Sequence, residues 1–334
     1  MMKMKKIIFI VLLGASTLAK AQIDPHFSQY YMHPLWLNPA LTGAINGDYR
    51  VAAIDRNQWS SITNAFSTQG LTGDIVTNKN INFGLSLLQE TAGSGGYKYF
   101  NGLGSISYSG IKFGKEGLKV ISFGMNAGIV SRHFNLSNAQ WGSLYEAYRG
   151  YVAGLQGDPS ALYKPTATDL DLGAGVAYYD GDPDKQVNFF GGFSAAHLNQ
   201  PKDEFYSTSS TLNKVPVRYT LHGGARVILS DRSSIVPNAV IMQEGGTKEV
   251  MIGGYWQTTV IDDVDVMAGA NYRVNDAFYP YLGLNFSNLI VGLSYDINAS
   301  QLGQGAKGAS SYEFSLMYTN KKGTDKGYFK CPRF

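Results

Sequence analysis

From about residue 49 onward, apolar side chains alternate with small or polar ones over long runs, clearest over 119–131, 169–178 and 217–229. A period of two is typical of a β-strand with one apolar and one polar face. The run 119–131 shows the pattern in full, because Ile121, Phe123, Met125, Ala127 and Ile129 alternate with Ser122, Gly124, Asn126 and Gly128. The body of the chain is therefore predicted to be all-β.

The length of the runs separates two all-β architectures. Strands of soluble sandwiches usually have about 5–6 residues, whereas a tilted strand that crosses a membrane needs about 9–11. The long runs favour a transmembrane outer-membrane antiparallel β-barrel, whose apolar face contacts lipid and whose polar face lines the lumen. About 14 strands are predicted, at 49–59, 64–76, 81–91, 97–110, 119–132, 169–180, 187–198, 216–230, 234–243, 248–258, 264–274, 278–286, 289–298 and 311–320.

The connections between these strands alternate in length. Every second connection is short, and this set includes 77–80, 111–118, 181–186, 231–233 and 287–288. The other set contains the three longest, 133–168, 199–215 and 299–310. Bacterial outer-membrane barrels have short periplasmic turns and longer extracellular loops. With an even strand number, we expect the long loops outside and both termini on the periplasmic side.

Side chains on the polar faces and at the strand ends extend this prediction. Charges are costly inside a sandwich core, so the charged residues on the polar faces are expected to lie in a barrel lumen: Asp171, Arg218, His222, Arg226 and Asp265. Aromatic residues also lie near the strand ends. We interpret them as the girdles that mark the two membrane interfaces of a barrel, and not merely as residues that favour β-strands: Trp59, Tyr97, Tyr99, Tyr178, Tyr179, Phe278, Tyr279, Tyr281 and Tyr318.

The first 21 residues have the pattern of a secretory signal peptide. A basic start is followed by an apolar run over 7–19 and by the small-x-small sequence Ala19-Lys20-Ala21. An uncleaved anchor is the alternative, but the apolar run is short for a spanning helix. We expect cleavage after Ala21 and localisation in the cell outer membrane.

Charge and composition exclude several classes of protein. The chain has 28 basic and 25 acidic residues. The four lysines of the signal leave 24 basic residues against 25 acidic ones, so the mature net charge is −1 and a nucleic-acid partner is not expected. Apolar residues at 44% exclude disorder, and a mean hydropathy of −0.13 excludes a helical membrane protein. The single cysteine, Cys331, excludes a disulfide scaffold.

Two segments lie outside the predicted strands. Residues 22–48 contain Pro25, Pro34 and Pro39 without strand or helix periodicity. They are interpreted as a lumen plug or periplasmic lid, with a docking surface for a partner as the alternative. Residues 321–334 form a basic periplasmic tail, which is either solvated or a partner contact. The predicted organisation is therefore signal peptide 1–21, plug or docking segment 22–48, barrel 49–320 and tail 321–334.

These segments resemble the PorP/SprF family of the type IX secretion and gliding machinery. The likeness lies in the run from Asp24 to Tyr30, in Asn38-Pro39-Ala40 with Gly43, in Tyr295-Asp296-Ile297-Asn298 with Ser300, Gly308 and Glu313, and in the closing Cys331-Pro332-Arg333-Phe334. The resemblance implies an outer-membrane barrel that contacts periplasmic lipoprotein and ring components and the translocon, or that helps to export one adhesin or hold it at the surface. Candidate partner-binding residues are Asp24, Pro25, Phe27, Ser28, Gln29, Tyr30, Asn38, Pro39, Cys331, Pro332, Arg333 and Phe334.

Chemistry-bearing motifs are missing from the sequence. It contains no phosphate-binding loop and no GxSxG nucleophile motif, and its histidines lack metal-ligand spacing. The resemblance supplies no catalytic residues. We therefore expect no enzyme activity, cofactor or metal. Two alternatives remain open: a FadL-like transporter for hydrophobic solutes with an N-terminal plug, and an enzyme that would depend on Asp171 or His222.

Overall fold

The protein is described by a computed structural model covering residues 24–59, 66–77, 79–93, 96–135, 145–146, 148–152, 165–203, 213–299 and 311–320. The predicted signal peptide, the basic tail with Cys331, Pro332, Arg333 and Phe334, and large parts of the three longest loops lie outside the described residues.

Fourteen strands form a closed antiparallel barrel in which each strand pairs with its neighbours in sequence. The barrel closes where Tyr49–Gln58 pairs with Ser311–Asn320. In chain order the strands are β1 Tyr49–Gln58, β2 Phe66–Ile75, β3 Ile81–Ala92, β4 Tyr97–Phe113, β5 Lys119–His133, β6 Thr166–Asp180, β7 Val187–Ala196, β8 Arg218–Ser230, β9 Ser233–Glu244, β10 Thr247–Ile261, β11 Val264–Arg273, β12 Ala277–Phe286, β13 Leu289–Asn298 and β14 Ser311–Asn320.

The predicted fold class and the number of strands are confirmed, and the differences lie at strand ends. β4 continues past a bulge between Tyr108 and Ile111 and ends at Phe113. β7 ends at Ala196, two residues before the predicted end, because His197 has a φ of 57° and cannot continue the ladder. β6 begins earlier than predicted, at Thr166, because it pairs with the full length of β5.

The alternation along the strands separates a lipid-facing surface from a lumen. On β5, Phe123 and Met125 are 48% and 65% exposed, whereas Ser122 and Asn126 are buried. This arrangement reverses that of a soluble protein and suits a barrel surrounded by lipid. The girdle prediction is wrong for four aromatic residues, which are buried on the inner face: Tyr99, Tyr179, Tyr279 and Tyr281. Neighbours along a strand point to opposite faces, so Phe278 is exposed while Tyr279 is not.

Residues 24–48, here called the inner segment, lie inside the barrel ahead of β1. They contain a 3-10 turn at Tyr30–Met32, a single α-helical turn at Pro34–Leu37 and another 3-10 turn at Pro39–Leu41. All ten of these residues are buried. Each short helix begins at or near a proline or ends before one, which fits the interruption of longer helices by proline. Among the described residues, no helix has the length and apolarity needed to cross a membrane.

The inner segment runs through the lumen from one end of the barrel to the other. The connections 76–80, 114–118, 181–186, 231–232, 262–263 and 287–288 define the short-turn end, and the opposite end carries the long loops. Asp24 contacts His197 and Arg218 at the long-loop end. Gly43 contacts Asp74 at the short-turn end. The expectation that both termini lie at one end is therefore wrong for the N-terminal side. The strand number determines where β1 and β14 lie, but it does not determine the path of a segment that precedes β1.

Candidate functional site

A buried cluster, here called the Asp24 cluster, holds the start of the inner segment at the long-loop end. Asp24 Oδ2 lies 2.5 Å from His197 Nε2 and accepts a hydrogen bond of 2.9 Å from Arg218 Nη1. The backbone N–H of Asp24 donates to Glu244 Oε2 at 2.9 Å. His197 Nδ1 is 2.8 Å from Asp171 Oδ1. Side chains from β8, from β9 and from the residue after β7 thus contact Asp24, and Asp171 of β6 contacts His197 from its other ring nitrogen.

A second buried cluster, here called the Glu313 cluster, holds the next turn of the inner segment. Glu313 accepts the backbone N–H groups of Ser28 and Gln29 at 2.6 and 2.8 Å. Asp296 accepts the Ser28 hydroxyl at 2.8 Å. Arg56 and Arg273 approach Asp296 to 3.2 and 2.8 Å. Charge-assisted bonds of this kind are among the stronger hydrogen bonds.

The Glu313 cluster joins two parts of the chain that carried the family resemblance separately. Ser28 and Gln29 belong to the N-terminal motif, and Asp296 and Glu313 belong to the C-terminal motifs. They are 268 to 285 residues apart in sequence but in direct contact. This part of the resemblance therefore corresponds to an internal contact between the inner segment and strands β13 and β14.

The middle of the inner segment lies directly against wall positions occupied by glycine. Asn38 Nδ2 donates to Val176 O at 3.0 Å and lies 3.1 Å from His222 Nε2. A Cβ at Gly175 would lie 2.1 Å from Asn38 Oδ1, and a Cβ at Gly124 would lie 2.3 Å from the backbone of Pro39. A larger residue at either wall position would displace the inner segment.

An ion pair holds the inner segment at the short-turn end. Arg50 donates from Nε and Nη2 to the two carboxylate oxygens of Asp74, each at 2.9 Å. Arg50 Nη2 also reaches Leu41 O at 3.3 Å, and Asp74 accepts the backbone N–H of Gly43 at 2.7 Å. Gly43 has a φ of 75°, and a Cβ there would lie 2.3 Å from Asn82. This turn therefore requires glycine.

The charges of the Asp24 cluster stabilise one another. Burial alone would raise the pKa of Asp24, but the nearby charges of His197, Arg218 and Arg132 hold it well below its ordinary value. Burial alone would lower the pKa of His197, but Asp24 and Asp171 raise it to about 10. At neutral pH the cluster therefore contains an imidazolium between two carboxylates.

The same cluster has the donor types of a metal site. One ligand atom from each of Asp24, His197 and Glu244 lies within 4.8 Å of the others. Both ring nitrogens of His197 already contact carboxylates, and Arg218 supplies a further positive charge to Asp24. A metal ion would have to displace a proton and lie beside a guanidinium. The arrangement therefore suits a network of ion pairs better than a cation site.

The charged residues expected in the lumen occupy three places in the barrel. Asp171 and Arg218 belong to the Asp24 cluster, and His222 contacts Asn38 in the middle of the lumen. Arg226 and Asp265 line a cavity of about 310 Å³ at the short-turn end. Asp265 accepts hydrogen bonds there from Gln257, Thr259 and Asn285 at 2.7, 2.8 and 2.7 Å.

Most of the candidate partner-binding residues in the N-terminal motif are buried. They contact the barrel wall and other parts of the inner segment instead of forming an outer surface: Asp24, Phe27, Ser28, Gln29, Tyr30, Asn38 and Pro39. Pro25 is half-buried at the long-loop end. Contact of these residues with a partner stays a prediction, as does that of Cys331, Pro332, Arg333 and Phe334 outside the described residues.

Sequence reasoning did not assign roles to several charged residues that hold the inner segment. Their common signal is a charge near the end of an alternating strand, on its small or polar face. This signal does not identify the pairing partners, since those lie on distant strands. The residues concerned are Arg50, Arg56, Asp74, His197, Glu244, Arg273, Asp296 and Glu313.

Three solved structures that resemble this protein share little sequence identity with it. The toluene transporter TbuX of Ralstonia pickettii is 10% identical, covers 86% of this chain and 92% of its own, and has a TM-score of 0.49. The P. putida toluene transporter TodX is 10% identical, covers 85% and 92%, and has a TM-score of 0.48. The KdgM porin is 9% identical, covers 81% and 98%, and has a TM-score of 0.35.

No curated protein sequence matches this chain. A family model described as type IX secretion system membrane protein PorP/SprF matches residues 19–318. The matched range contains the inner segment and nearly the whole barrel, and it ends before the closing Cys331-Pro332-Arg333-Phe334. The chain belongs to the PorP/SprF family, and its closed barrel with an apolar exterior is an outer-membrane component of the type IX secretion system.

Proposed function

We propose that this barrel is a non-enzymatic scaffold of the type IX secretion and gliding machinery that supports the export or surface anchoring of a secreted protein such as an adhesin. The observation that carries the proposal is the inner segment, which occupies the lumen along its length. Buried ion pairs hold the segment at both ends of the barrel. Breaking such a pair leaves an uncompensated buried charge, so the segment is expected to stay in place.

The lining of the lumen argues against the alternative of a transporter for hydrophobic solutes. The cavity at the short-turn end is lined mainly by polar and charged side chains, including Asp182, Asn188, Arg226 and Asp265. Sites for small apolar ligands are lined predominantly by hydrophobic and aromatic side chains. At the other end, the Asp24 and Glu313 clusters place buried charges in the path of an apolar solute.

In the proposed arrangement the two ends of the barrel have different partners. The long-loop end faces outward, as in bacterial barrels generally, towards the exported protein or a translocon subunit. The short-turn end and the basic tail 321–334 face the periplasmic lipoprotein and ring components. A barrel fixed in the outer membrane would thereby connect the periplasmic machine with a protein at the cell surface.

Deletion of the gene tests the proposal. We expect the deletion strain to lose secretion or surface display of at least one protein, measured by mass spectrometry of culture medium and shaved cell surfaces. Expression of the wild-type chain should restore the loss. Normal secretion and display of all type IX substrates in the deletion strain would contradict the scaffold.

A transport assay on the purified protein distinguishes the scaffold from the transporter for hydrophobic solutes. In liposomes, the scaffold predicts that the wild-type barrel neither conducts ions nor carries apolar solutes above the level of empty liposomes. Saturable uptake of an apolar solute by the wild-type protein would instead support the transporter.

A further inference from the structure

The barrel closes along a seam between its first and last strands. Every other pair of neighbouring strands in the barrel is also consecutive in sequence, whereas the seam joins β1 to β14. Bringing distant parts of a chain together costs more conformational entropy than closing a short turn. The seam is therefore the strand pair for which contacts beyond the ladder itself matter most.

A buried ion pair crosses the seam on its lumen side. Arg56 of β1 and Glu313 of β14 are direct partners in the register of the two strands. Arg56 Nη1 lies 3.4 Å from Glu313 Oε1. Both residues are 1% exposed. The remaining donors and acceptors of this pair are therefore available only to groups inside the barrel.

The inner segment binds both members of this pair through its backbone. Arg56 Nη1 donates to His26 O at 2.8 Å. Glu313 accepts the backbone N–H groups of Ser28 and Gln29 at 2.6 and 2.8 Å. A run of four residues thus offers an acceptor to one side of the seam and two donors to the other.

Side chains of the same four residues extend the contact to the next strand on each side. Gln29 Oε1 accepts the hydroxyl of Ser315 on β14 at 2.6 Å, and Gln29 Nε2 donates to Ser294 on β13 at 3.1 Å. Phe27 is fully buried, and a Cβ added to Gly70 of β2 would lie 3.0 Å from its ring. Residues 26–29 therefore contact β1 and β2 on one side of the seam and β13 and β14 on the other.

The inner segment is also the stretch of chain that leads directly into β1. Its end lies against the end of β14, because Asp48 N donates to Asn320 O at 3.0 Å. A Cβ at Gly47 would lie only 2.1 Å from the same oxygen. A segment that is covalently joined to β1 and bound to β13 and β14 keeps β1 at a high effective concentration beside its partner strand.

We infer that residues 26–29 act as an internal staple that holds the seam between β1 and β14 closed. This role is separate from filling the lumen, and it applies to the barrel whichever partner the barrel serves. The staple predicts that β1 and β14 open before the other strands when the contacts of residues 26–29 are removed.

Hydrogen exchange of the purified full-length protein in nanodiscs, followed by mass spectrometry, tests the staple. Gln29→Leu removes the contacts with Ser294 and Ser315 but leaves the Arg56–Glu313 pair in place. Local opening exposes only the amides of the strands that separate. We therefore expect the amides of β1 and β14 to exchange at least 10-fold faster than in the wild type, with those of β9 and β10 unchanged.

Asn38→Leu is the matched control, because it also replaces a buried amide of the inner segment by leucine. Asn38 contacts Val176 O of β6 and His222 of β8, away from the seam. We expect Asn38→Leu to accelerate exchange in β6 and β8 and to leave β1 and β14 at wild-type rates. Equal acceleration of β1 and β14 by both variants, or wild-type exchange of these strands in Gln29→Leu, would overturn the staple.

A covalent cross-link across the seam provides a second measurement. Ala53 and Leu316 are register partners on the exposed face of the barrel. In a Cys331→Ser background, Ala53→Cys and Leu316→Cys would be joined by a short bismaleimide. Cross-linking should return β1 and β14 of Gln29→Leu to wild-type exchange rates, and rates that stay high after complete cross-linking would overturn the proposal. If Gln29→Leu does not fold, the milder Gln29→Asn should show the same pattern.

Discussion

Single charged residues decide how the inner segment is held. Asp24 has buried positive partners on two sides, Arg218 and His197, and each of those side chains is itself buried. A buried ion pair contributes little net stability relative to an apolar replacement, but loss of one partner is strongly destabilising. The charges therefore specify the position of the segment more than they add to the stability of the barrel.

Replacement of Asp24 measures this effect. Asp24→Asn would leave Arg218 and His197 without their shared carboxylate, so we expect destabilisation of about 3–5 kcal/mol. The thermal midpoint of the purified protein, followed by circular dichroism, should fall clearly below that of the wild type. The control Asp262→Asn changes a carboxylate that is 94% exposed and should leave the midpoint unchanged. Equal midpoints for the two variants would contradict the role of Asp24.

The same pair predicts a dependence of stability on pH. The pKa of Asp24 lies below its unfolded value of 3.8, so its contribution is complete above about pH 4 and is lost as the pH falls through the lowered folded pKa. The pKa of His197 is raised from 6.5 to about 10, so its contribution is complete below pH 6.5 and is lost as the pH rises to about 10. Asp24 and His197 together therefore contribute most between about pH 4 and 6.5.

Thermal midpoints from pH 5 to pH 10 test this prediction. The midpoint of the wild type should fall between pH 6.5 and 10, and His197→Gln should lose most of that slope. An identical slope in the wild type and in His197→Gln would show that other groups cause the decline.

At the scale of elements, small residues in the strands allow the inner segment to lie against the wall. Gly124 and Gly175 meet the segment at distances that no Cβ could occupy. From the sequence, the many glycines of the strands indicate only a small or polar inner face. In the structure, some of these glycines also contact a buried segment directly. A strand that packs against lipid on one face and against a peptide on the other needs glycine where the peptide backbone comes this close.

A matched pair of single-methyl substitutions tests this contact. Gly124→Ala would bring Cβ to 2.3 Å from Pro39, whereas Gly104→Ala lies on the exposed face and its Cβ would meet only Ala127 O at 3.8 Å. Overpacking costs about 1–3 kcal/mol. We expect Gly124→Ala to lower the thermal midpoint and to raise ion conductance in planar bilayers as the segment shifts. Conductance and stability equal to those of Gly104→Ala would argue against close packing of the segment.

At the scale of the whole molecule, the path of the inner segment gives the barrel a direction. The segment enters at the long-loop end beside Asp24 and leaves at the short-turn end, where β1 begins at Tyr49. Short turns face the periplasm in bacterial barrels. Asp24 therefore lies at the end of the barrel that is expected to face outward, and β14 ends at the short-turn end, which is expected to face the periplasm.

Tags at the two ends of the chain test this direction. An epitope inserted directly after Ala21 should be labelled by antibody on intact cells, and an epitope after Phe334 should be labelled only after permeabilisation. Both tagged proteins must support secretion to wild-type levels for the comparison to count. Labelling of the C-terminal epitope on intact cells, with the N-terminal epitope protected, would show the opposite orientation.

The strands could be predicted from the sequence because each depends on local alternation. Over 278–286, for example, every second residue faces out, and the structure has β12 at Ala277–Phe286. The same rule predicts that Asp171, Arg218, His222 and Asp265 face inward, and the structure buries all four. It does not tell which inward charge meets which, because a pair such as Ser28 and Glu313 forms only when the barrel closes.

The sequence by itself therefore determined the barrel, its strand number and the two faces of each strand, since a period of two and the strand length are properties of short stretches of chain. The motifs that resemble the PorP/SprF family were likewise visible in the sequence alone. The tertiary structure alone decided that residues 24–48 run through the lumen, that Ser28 of the N-terminal motif and Asp296 and Glu313 of the C-terminal motifs meet in one buried contact, and that Asp24 lies at the end opposite to the one expected. These features depend on contacts between residues that are up to 286 positions apart, and no local pattern encodes such contacts.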